Sequence, residues 1–211
     1  MADTPLLELI GINKSFGGLR ATDDVSFALP DKHIMALIGP NGAGKSTLIA
    51  QISGELRSDS GRMMFQGRDI SALPGHRRAH RGLARSFQIT SVFPQFTVLQ
   101  NVLLVSQGTG GHCFQLFRPA TSNKRAVDVS MAHLETVGLG DRAHTLVSDL
   151  NYGAQRQLEL AMALALSPKL LLLDEPMAGL GPQETKSMIE ILRKIKGTVG
   201  MLLVEHDMEA V

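Results

Sequence analysis

The sequence is poor in cysteine, in charge of a single sign and in long apolar runs. Cys113 is the one cysteine among 211 residues, so the chain cannot form an intramolecular disulfide. Such a chain is typical of a reducing compartment, and we expect it in the cytoplasm. Lysine and arginine together number 21, against 20 aspartates and glutamates. This balance gives no reason to expect nucleic acid as a partner.

The chain also lacks the patterns of a secretory signal and of a membrane span. Its first ten residues carry Asp3 and Glu8 and no basic side chain, unlike a signal peptide. The most apolar stretch, residues 158–173, is interrupted by Glu159 and by the polar residues 167–169. It is too short and too interrupted to cross a bilayer. We therefore expect a soluble domain that is not a channel by itself.

Short apolar runs alternate with helix-like stretches along the chain. Alternation of this kind favours a mainly parallel α/β sheet, and the helices between about residues 90 and 148 indicate a lobe inserted into it. The run at 33–38 is expected to be buried because of its composition, and residues 108–111 to form a flexible loop. The predicted strands are residues 6–12, 25–29, 33–38, 62–65, 170–173 and 199–204, and the predicted helices are 46–52, 98–105, 126–137, 154–166 and 183–196.

A glycine-rich loop separates the strand at 33–38 from the helix at 46–52 and matches G-x-x-x-x-G-K-[ST]. Glycines let backbone N–H groups approach phosphate oxygens without a Cβ in the way. Lys45 would bring positive charge to the same phosphates, and the Ser46 hydroxyl is an expected Mg²⁺ ligand. The predicted phosphate-binding residues are Gly39, Pro40, Asn41, Gly42, Ala43, Gly44, Lys45, Ser46 and Thr47.

Two carboxylates, Asp174 and Glu175, directly follow the apolar run at 170–173. Ligands of open α/β sheets bind outside the carboxyl ends of the strands, where the loop of residues 39–47 also lies. We expect Asp174 to hold Mg²⁺, directly or through water, and Glu175 to orient and deprotonate an attacking water. The two motifs together fit many nucleotide hydrolases, kinases and GTPases included.

A third motif, residues 150–155 with the sequence Leu-Asn-Tyr-Gly-Ala-Gln, narrows the choice. It leads into the helix at 154–166 and resembles the LSGGQ-type signature of the ATP-binding cassette (ABC) family. The resemblance covers essentially the whole chain in order. Within the family the sequence is most similar to the ATPases of branched-chain amino acid importers, through residues 84–88, 151–153, 157–161, 178–180 and 205–208.

This resemblance implies roles for further residues. Phe16 would stack on adenine, with core packing as the alternative, and Gln88 would touch Mg²⁺ or water and link the core to the helical lobe. His206 would contact the γ-phosphate. Asn151 and Gly153 would contact ATP bound by a second cassette, so that each site is completed in trans. The implied catalytic set is Glu175, His206, Lys45 and Gln88, and the implied metal ligands are Ser46, Gln88 and Asp174.

The resemblance also implies the fold, namely an α/β P-loop NTPase core whose mainly parallel sheet has helices on both faces. An N-terminal antiparallel β portion and an inserted α-helical subdomain complete this single ATPase domain. The core is expected at residues 1–88 and 156–211, and the helical subdomain with the signature at about 89–155. Four positions, Asn151, Tyr152, Ala154 and Gly181, differ from the residues usual in the family. Members of the resembling family continue well past the position of His206, so we expect residues to be missing beyond Val211.

The implied activity is ATP hydrolysis that energises uptake of branched-chain amino acids or similar small polar solutes. The implied cofactors are ATP and Mg²⁺. The implied partners are two transmembrane permease subunits, a second ABC ATPase and, indirectly, an extracytoplasmic solute-binding protein, at the cytoplasmic face of the inner membrane. A heterodimer of ATPases is expected, with a homodimer left open. The alternatives are another ABC transporter (a urea or amide importer or a lipopolysaccharide exporter) and a non-transport ABC ATPase acting on ribosomes or DNA.

A basic run at residues 76–81, extended by Arg85, is the one concentration of positive charge. No aromatic side chains are interleaved with it, as they would be in a nucleic-acid surface. We therefore interpret it as a solvated helix face.

Overall fold

The structure is a computed structural model that describes residues 4–85, 92–109 and 123–205. The contacts among its residues divide the chain into two units, a sheet unit and a helical unit. The sheet unit contains residues 4–85, 169–176 and 195–205. The helical unit contains residues 92–109, 123–168 and 177–194. The subdomain boundary expected between residues 155 and 156 falls inside one continuous helix, Tyr152–Ala165. The assignment of a single ATPase domain stays a prediction.

An antiparallel sheet begins the sheet unit, in the strand order β2-β1-β4-β5. Its strands are β1 (Leu7–Phe16), β2 (Leu19–Leu29), β4 (Ser60–Phe65) and β5 (Arg68–Asp69). The N-terminal antiparallel portion implied by the resemblance is thereby confirmed. β1 and β2 are longer than their apolar runs because the ladder continues through polar residues, whose backbone groups pair whatever the side chain. β5 was not predicted.

A parallel sheet with the order β3-β8-β7-β6 forms the second layer of strands. It consists of β3 (Ile34–Ile38), β6 (Leu83–Arg85), β7 (Leu170–Asp174) and β8 (Gly200–Glu205). Every residue of β7 and β8 is buried, which explains their continuous apolar runs. The prediction that β3 is buried was wrong, since β3 is an edge strand of the described sheet and its two end residues are exposed.

Two helices, α1 (Lys45–Ser53) and α2 (Gly75–Ala79), belong to the sheet unit. α1 ends at Gly54, whose left-handed backbone lets its N–H bond back to the last turn, as the sequence indicated. The core of this unit contains Ile49 and Ile52 of α1 together with leucines of β1 and β7. The core of the sheet unit therefore lies beneath the helix that follows the glycine-rich loop.

The interpretation of the basic run as a solvated face was wrong for two of its members. Arg78 is buried and donates hydrogen bonds to the carbonyl oxygens of Gln51 (2.7 Å), Ile52 (2.8 Å) and Leu73 (2.8 Å). Arg85 ends β6 and is also largely buried. Charge spacing in the sequence does not reveal which arginine finds enough acceptors to be buried.

The helical unit is built from α3 (Val98–Thr109), α4 (Lys124–Thr136), α5 (Tyr152–Ala165) and most of α6 (Pro182–Ile195). α3, α4 and α5 contact one another, and two short 3-10 turns, Gly140–Arg142 and Val147–Asp149, precede α5. All four helices were predicted to within a few residues. Gly108 and Thr109 lie in α3 rather than in the predicted loop, and the rest of that loop lies outside the described residues. Among the helices of the described chain, none has the length and apolar character needed to cross a membrane.

Candidate active site

The carboxyl ends of the four parallel strands lie along one edge of their sheet. Ile38, the last residue of β3, is opposite Glu205 of β8, and Asp174, the last residue of β7, is opposite Val204. Since neighbouring strands are about 4.8 Å apart, the ends of β3 and β7 are separated by roughly 10 Å. The loop that follows β3 and the acidic pair that ends β7 therefore meet at this edge.

The glycine-rich loop closes around the side chain of Lys45. The Lys45 ammonium donates to the carbonyl oxygens of Gly39 (2.6 Å) and Pro40 (3.0 Å), and the residue is 7% exposed. The backbone N–H of Ala43 also donates to Pro40, at 3.2 Å. The loop is thus an arc with a positive charge held inside it, while Asn41 on its outer side is exposed.

The loop requires glycine at two positions and ends at an uncapped helix. Gly42 and Gly44 have φ angles of +82° and +87°, a region that side chains rarely adopt. A Cβ on Gly44 would also overlap the carbonyl oxygen of Ala21 in β2. No side chain of the described residues caps the N-terminus of α1, where Gly44 is the capping residue. The free N–H groups at the start of α1 and the dipole of this helix therefore favour an anion, and the loop fits a phosphate group.

Asp174 is a buried carboxylate with one oxygen in use. Its side chain is 0% exposed, and Oδ2 accepts a hydrogen bond from Arg85 Nη2 at 3.1 Å. Oδ1 has no hydrogen-bond partner among the described residues. A buried carboxylate oxygen without a partner is costly, and it fits a position that a cation or its bound water would occupy.

The described residues contain no cluster of three or more His, Cys, Asp or Glu side chains suited to a metal ion. Asp174 and the exposed Ser46 are the predicted ligands that the structure places in the sheet unit. This suits Mg²⁺, which is bound through one or two protein groups together with substrate phosphates and water.

Glu175 has a strained backbone at the point where β7 ends. Its φ is +49°, and its N–H donates to the carbonyl oxygen of Val204 at 2.9 Å. A left-handed conformation costs a non-glycine residue about 1–2 kcal/mol, and such strain is concentrated at functional sites. The strain is consistent with a catalytic role for Glu175 and could not be predicted from the sequence.

Two charged side chains at the same edge were not assigned a role from the sequence. Arg85 contacts Glu55 at 2.5 Å as well as Asp174, and Glu205 is a buried carboxylate at the end of β8. A signal was present for Glu205, which directly follows the predicted apolar strand 199–204, but not for Arg85, because no strand was predicted at residues 83–85. Charged side chains in that position are seldom accidental, since burial of a charge requires compensation.

Phe16 lies at the end of β1 and is 50% exposed. The Lys14 ammonium is 5.5 Å from the centre of its ring. Half exposure is inconsistent with core packing, the alternative considered from the sequence. Phe16 belongs to the hairpin of β1 and β2, and that hairpin borders the phosphate loop through Ala21. An exposed aromatic ring here is available for stacking.

Gln88 and His206 lie outside the described residues. In sequence, Gln88 follows β6 by three residues and His206 directly follows β8. Their implied contacts with Mg²⁺ and with the γ-phosphate stay predictions.

The signature residues lie in the helical unit, at the start of α5. Asn151 caps this helix, because its Oδ1 accepts the N–H of Ala154 at 3.0 Å. The carboxylate of Glu184 accepts a hydrogen bond from Asn151 Nδ2 and another from the Gly181 N–H, both at 3.1 Å. A Cβ on Gly153 would stand 2.5 Å from the same carboxylate. An anionic group therefore already occupies the N-terminus of α5, and the sequence had not singled out Glu184.

The strand–loop–helix cradle for phosphate, with an acidic pair at the end of a neighbouring parallel strand, defines a P-loop nucleotide hydrolase. Residues 22–178 match the family described as ABC transporter. The chain is 38% identical to the high-affinity branched-chain amino acid transport ATP-binding protein LivG of Salmonella typhimurium. It is 36% identical to the corresponding protein BraF of Pseudomonas aeruginosa. Both alignments cover 98% of this chain and 84% of the relative.

A solved structure agrees with the sequence relatives. The crystal structure of the ADP conformation of an ATP-binding cassette of an ABC transporter is 29% identical and superposes with a TM-score of 0.86. The match covers 99% of this chain and 84% of that one. The chain belongs to the ABC transporter family and is an ATP-binding ATPase of the P-loop α/β fold.

Proposed function

We propose that the chain is the ATP-hydrolysing subunit of an importer for branched-chain amino acids or similar small polar solutes. The observation that carries the hydrolytic role is the convergence of the phosphate loop and of Asp174 and Glu175 at one sheet edge. The cargo is supported by the identity with LivG and BraF, whose names state branched-chain amino acid transport.

In this proposal the loop binds the β- and γ-phosphates of ATP. Lys45 is already held inside the arc, and the backbone N–H groups of residues 39–47 and the start of α1 supply further donors. Phe16 stacks on the adenine. Phosphoryl transfer needs mainly positioning and charge stabilisation, and Lys45 and His206 would supply positive charge near the γ-phosphate.

Glu175 orients the attacking water and accepts its proton. Ser46, Asp174 and Gln88 would hold Mg²⁺, which neutralises phosphate charge when bound. Asp174 suits this role through its buried Oδ1, which has no hydrogen-bond partner among the described residues.

The proposed assembly consists of two permease subunits and two ABC ATPases, served by an extracytoplasmic binding protein. The chain would lie at the cytoplasmic face of the inner membrane and pair with a related ATPase as a heterodimer. Asn151 and Gly153 would contact ATP held by that second cassette. Asn151 is exposed at the start of α5, and its Nδ2 donates to the Glu184 carboxylate, so this contact would require Glu184 to leave the helix N-terminus.

The hydrolytic assignment is tested with Glu175→Gln. This substitution keeps the size of the side chain but removes the base, so turnover should fall by about 10²–10⁴-fold while ATP binding is retained. Glu190→Gln, at an exposed position of α6, is the matched control and should leave both quantities unchanged. Near-normal turnover in Glu175→Gln would show that Glu175 is not the base.

The transport assignment is tested in cells of the source organism that lack the gene. Uptake of radiolabelled leucine should return with the wild-type gene and not with Glu175→Gln. Purification of the tagged full-length protein from solubilised membranes should recover polytopic proteins and a second ABC ATPase. Normal leucine uptake in the deletion strain, with loss of urea or amide uptake, would show that the importer carries urea or amides instead. Recovery of ribosomes or DNA-repair factors without membrane proteins would contradict the assignment as an importer subunit.

A further inference from the structure

Arg85 joins two parts of the sheet unit that the sequence keeps far apart. Its guanidinium donates to Glu55 Oε2 at 2.5 Å through Nη1 and to Asp174 Oδ2 at 3.1 Å through Nη2. In the parallel pair of β6 and β7, Arg85 is opposite Leu172, two residues before Asp174. The side chain of Arg85 is 14% exposed, and that of Asp174 is fully buried.

One partner of Arg85 belongs to the acidic pair, and the other follows the helix that begins at the phosphate loop. Glu55 directly follows Gly54, which ends α1, and α1 begins at the phosphate loop. Asp174 ends β7. A guanidinium is a planar fork with fixed donor directions, so it restricts both carboxylates more than a lysine would. The helix that starts in the loop and the strand that ends in the acidic pair are thereby tied together by one side chain.

The two contacts differ in how strongly they restrict their partner. The Glu55 side chain is 49% exposed, and an ion pair at such a site is worth little. The contact with Asp174 is buried, and removal of one partner of a buried ion pair leaves an uncompensated charge. Arg85 therefore acts mainly on Asp174.

We propose that Arg85 is a positioning residue for metal binding, which holds Asp174 by Oδ2 and leaves Oδ1 for Mg²⁺ or its bound water. Ligating carboxylates are commonly oriented by such outer hydrogen bonds, whose loss weakens metal binding. Oδ1 has no hydrogen-bond partner among the described residues, as this role requires. The inference rests on the proposed role of Asp174 in holding Mg²⁺.

The test measures metal binding rather than turnover alone. Mn²⁺, used as the probe for the Mg²⁺ site, is titrated by electron paramagnetic resonance into the full-length protein saturated with a non-hydrolysable ATP analogue. Arg85→Met should weaken Mn²⁺ binding by about tenfold. Affinity for the analogue in EDTA should change by less than about twofold, because Arg85 contacts the acidic pair and not the phosphate loop. The Mg²⁺ concentration for half-maximal ATPase activity should rise in parallel.

Three further variants separate positioning from simple stability. Arg85→Lys keeps the charge but not the fork, and should weaken Mn²⁺ binding by about threefold. Glu55→Gln removes the exposed contact and should leave Mn²⁺ binding unchanged. Arg78→Met removes another buried arginine of the same unit, and should lower the unfolding temperature without changing Mn²⁺ affinity.

The outcomes decide between the inference and the function on which it rests. If wild-type protein with the analogue binds no Mn²⁺, the proposed metal site fails. If the wild type binds Mn²⁺ and Arg85→Met binds it equally well, or loses only thermal stability, the inference about Arg85 is overturned while the metal site stands. Should Arg85→Met fail to fold, Arg85→Lys decides, since wild-type Mn²⁺ affinity in that variant overturns the inference.

Discussion

Replacement of Gly42 or Gly44 by alanine tests how closely the phosphate loop approaches β2. Both glycines have left-handed backbones, with φ of +82° and +87°. Alanine at either position therefore costs about 1–2 kcal/mol from backbone conformation alone. The two positions differ in space, because a Cβ on Gly42 meets no heavy atom of the described residues within 4 Å, whereas one on Gly44 overlaps the carbonyl oxygen of Ala21.

The difference between the two variants can be estimated from this contrast. The Ala21 carbonyl is part of the backbone of β2 and lies between the paired residues Arg20 and Thr22, so it moves less readily than a flexible side chain would. Overpacking of this kind adds about 1–3 kcal/mol to the cost at Gly44. In a chain of this size 1 kcal/mol corresponds to about 2–4 °C in Tm. Gly42→Ala should lower Tm by about 2–8 °C, and Gly44→Ala by a further 2–12 °C or so.

The assay is thermal unfolding followed by circular dichroism, first without nucleotide so that loss of ligand stabilisation does not enter. A second scan with excess ATP measures binding, and Gly44→Ala should lose most of the ATP-dependent increase in Tm because its cradle is displaced. Equal Tm values for the two variants without nucleotide would refute the reasoning. In that case the approach of the loop to β2 would impose no restriction on Gly44.

Three other perturbations have expected outcomes. Asn151→Ala removes the cap of α5 and should lower the free energy of unfolding by about 1 kcal/mol. Asn151→Ser should keep most of that free energy, because serine is also a good cap, and equal Tm values for the two variants would contradict the capping role. Asn101 is fully buried and bonds to both the N–H and the carbonyl of Phe93, so Asn101→Leu should lower the free energy of unfolding by about 2 kcal/mol or more in urea titrations, and an unchanged midpoint would contradict this. Burial lowers the pKa of His133, so the unfolded chain binds the proton more readily and stability should fall as pH drops below the unfolded value of about 6.5. Urea titrations between about pH 8 and pH 5.5 should show a shallower decline for His133→Gln than for the wild type, and parallel curves would exclude His133 as the cause.

The local chemistry of the site could be predicted because its residues are contiguous in the chain. A phosphate cradle needs glycines, a lysine and a hydroxyl within nine residues, and the structure forms an arc around Lys45 there. The acidic pair was recognisable because β7, buried on both faces, is an uninterrupted apolar run that ends in charge. α5 was likewise predictable, since helix periodicity depends on near neighbours.

The structural features that the sequence did not predict share one cause, because each depends on contacts between segments that are distant in sequence. β6 has three residues and shows no periodicity, yet its pairing with β7 brings Arg85 to Asp174. The burial of Arg78 depends on carbonyl groups offered by the end of α1. The carboxylate of Glu184 reaches the start of α5 from the first turn of α6.

The sequence by itself therefore determined the order of most of the elements, the phosphate loop, the acidic pair and the family. Each of these is encoded by residue type and spacing within a short segment. Only the tertiary structure decided that β3 lies at an edge, that Arg85 holds one oxygen of Asp174, and that Glu175 is strained where β7 ends. These features follow from which distant segments pack together, and the free energy of that packing is shared among many contacts that no local pattern records.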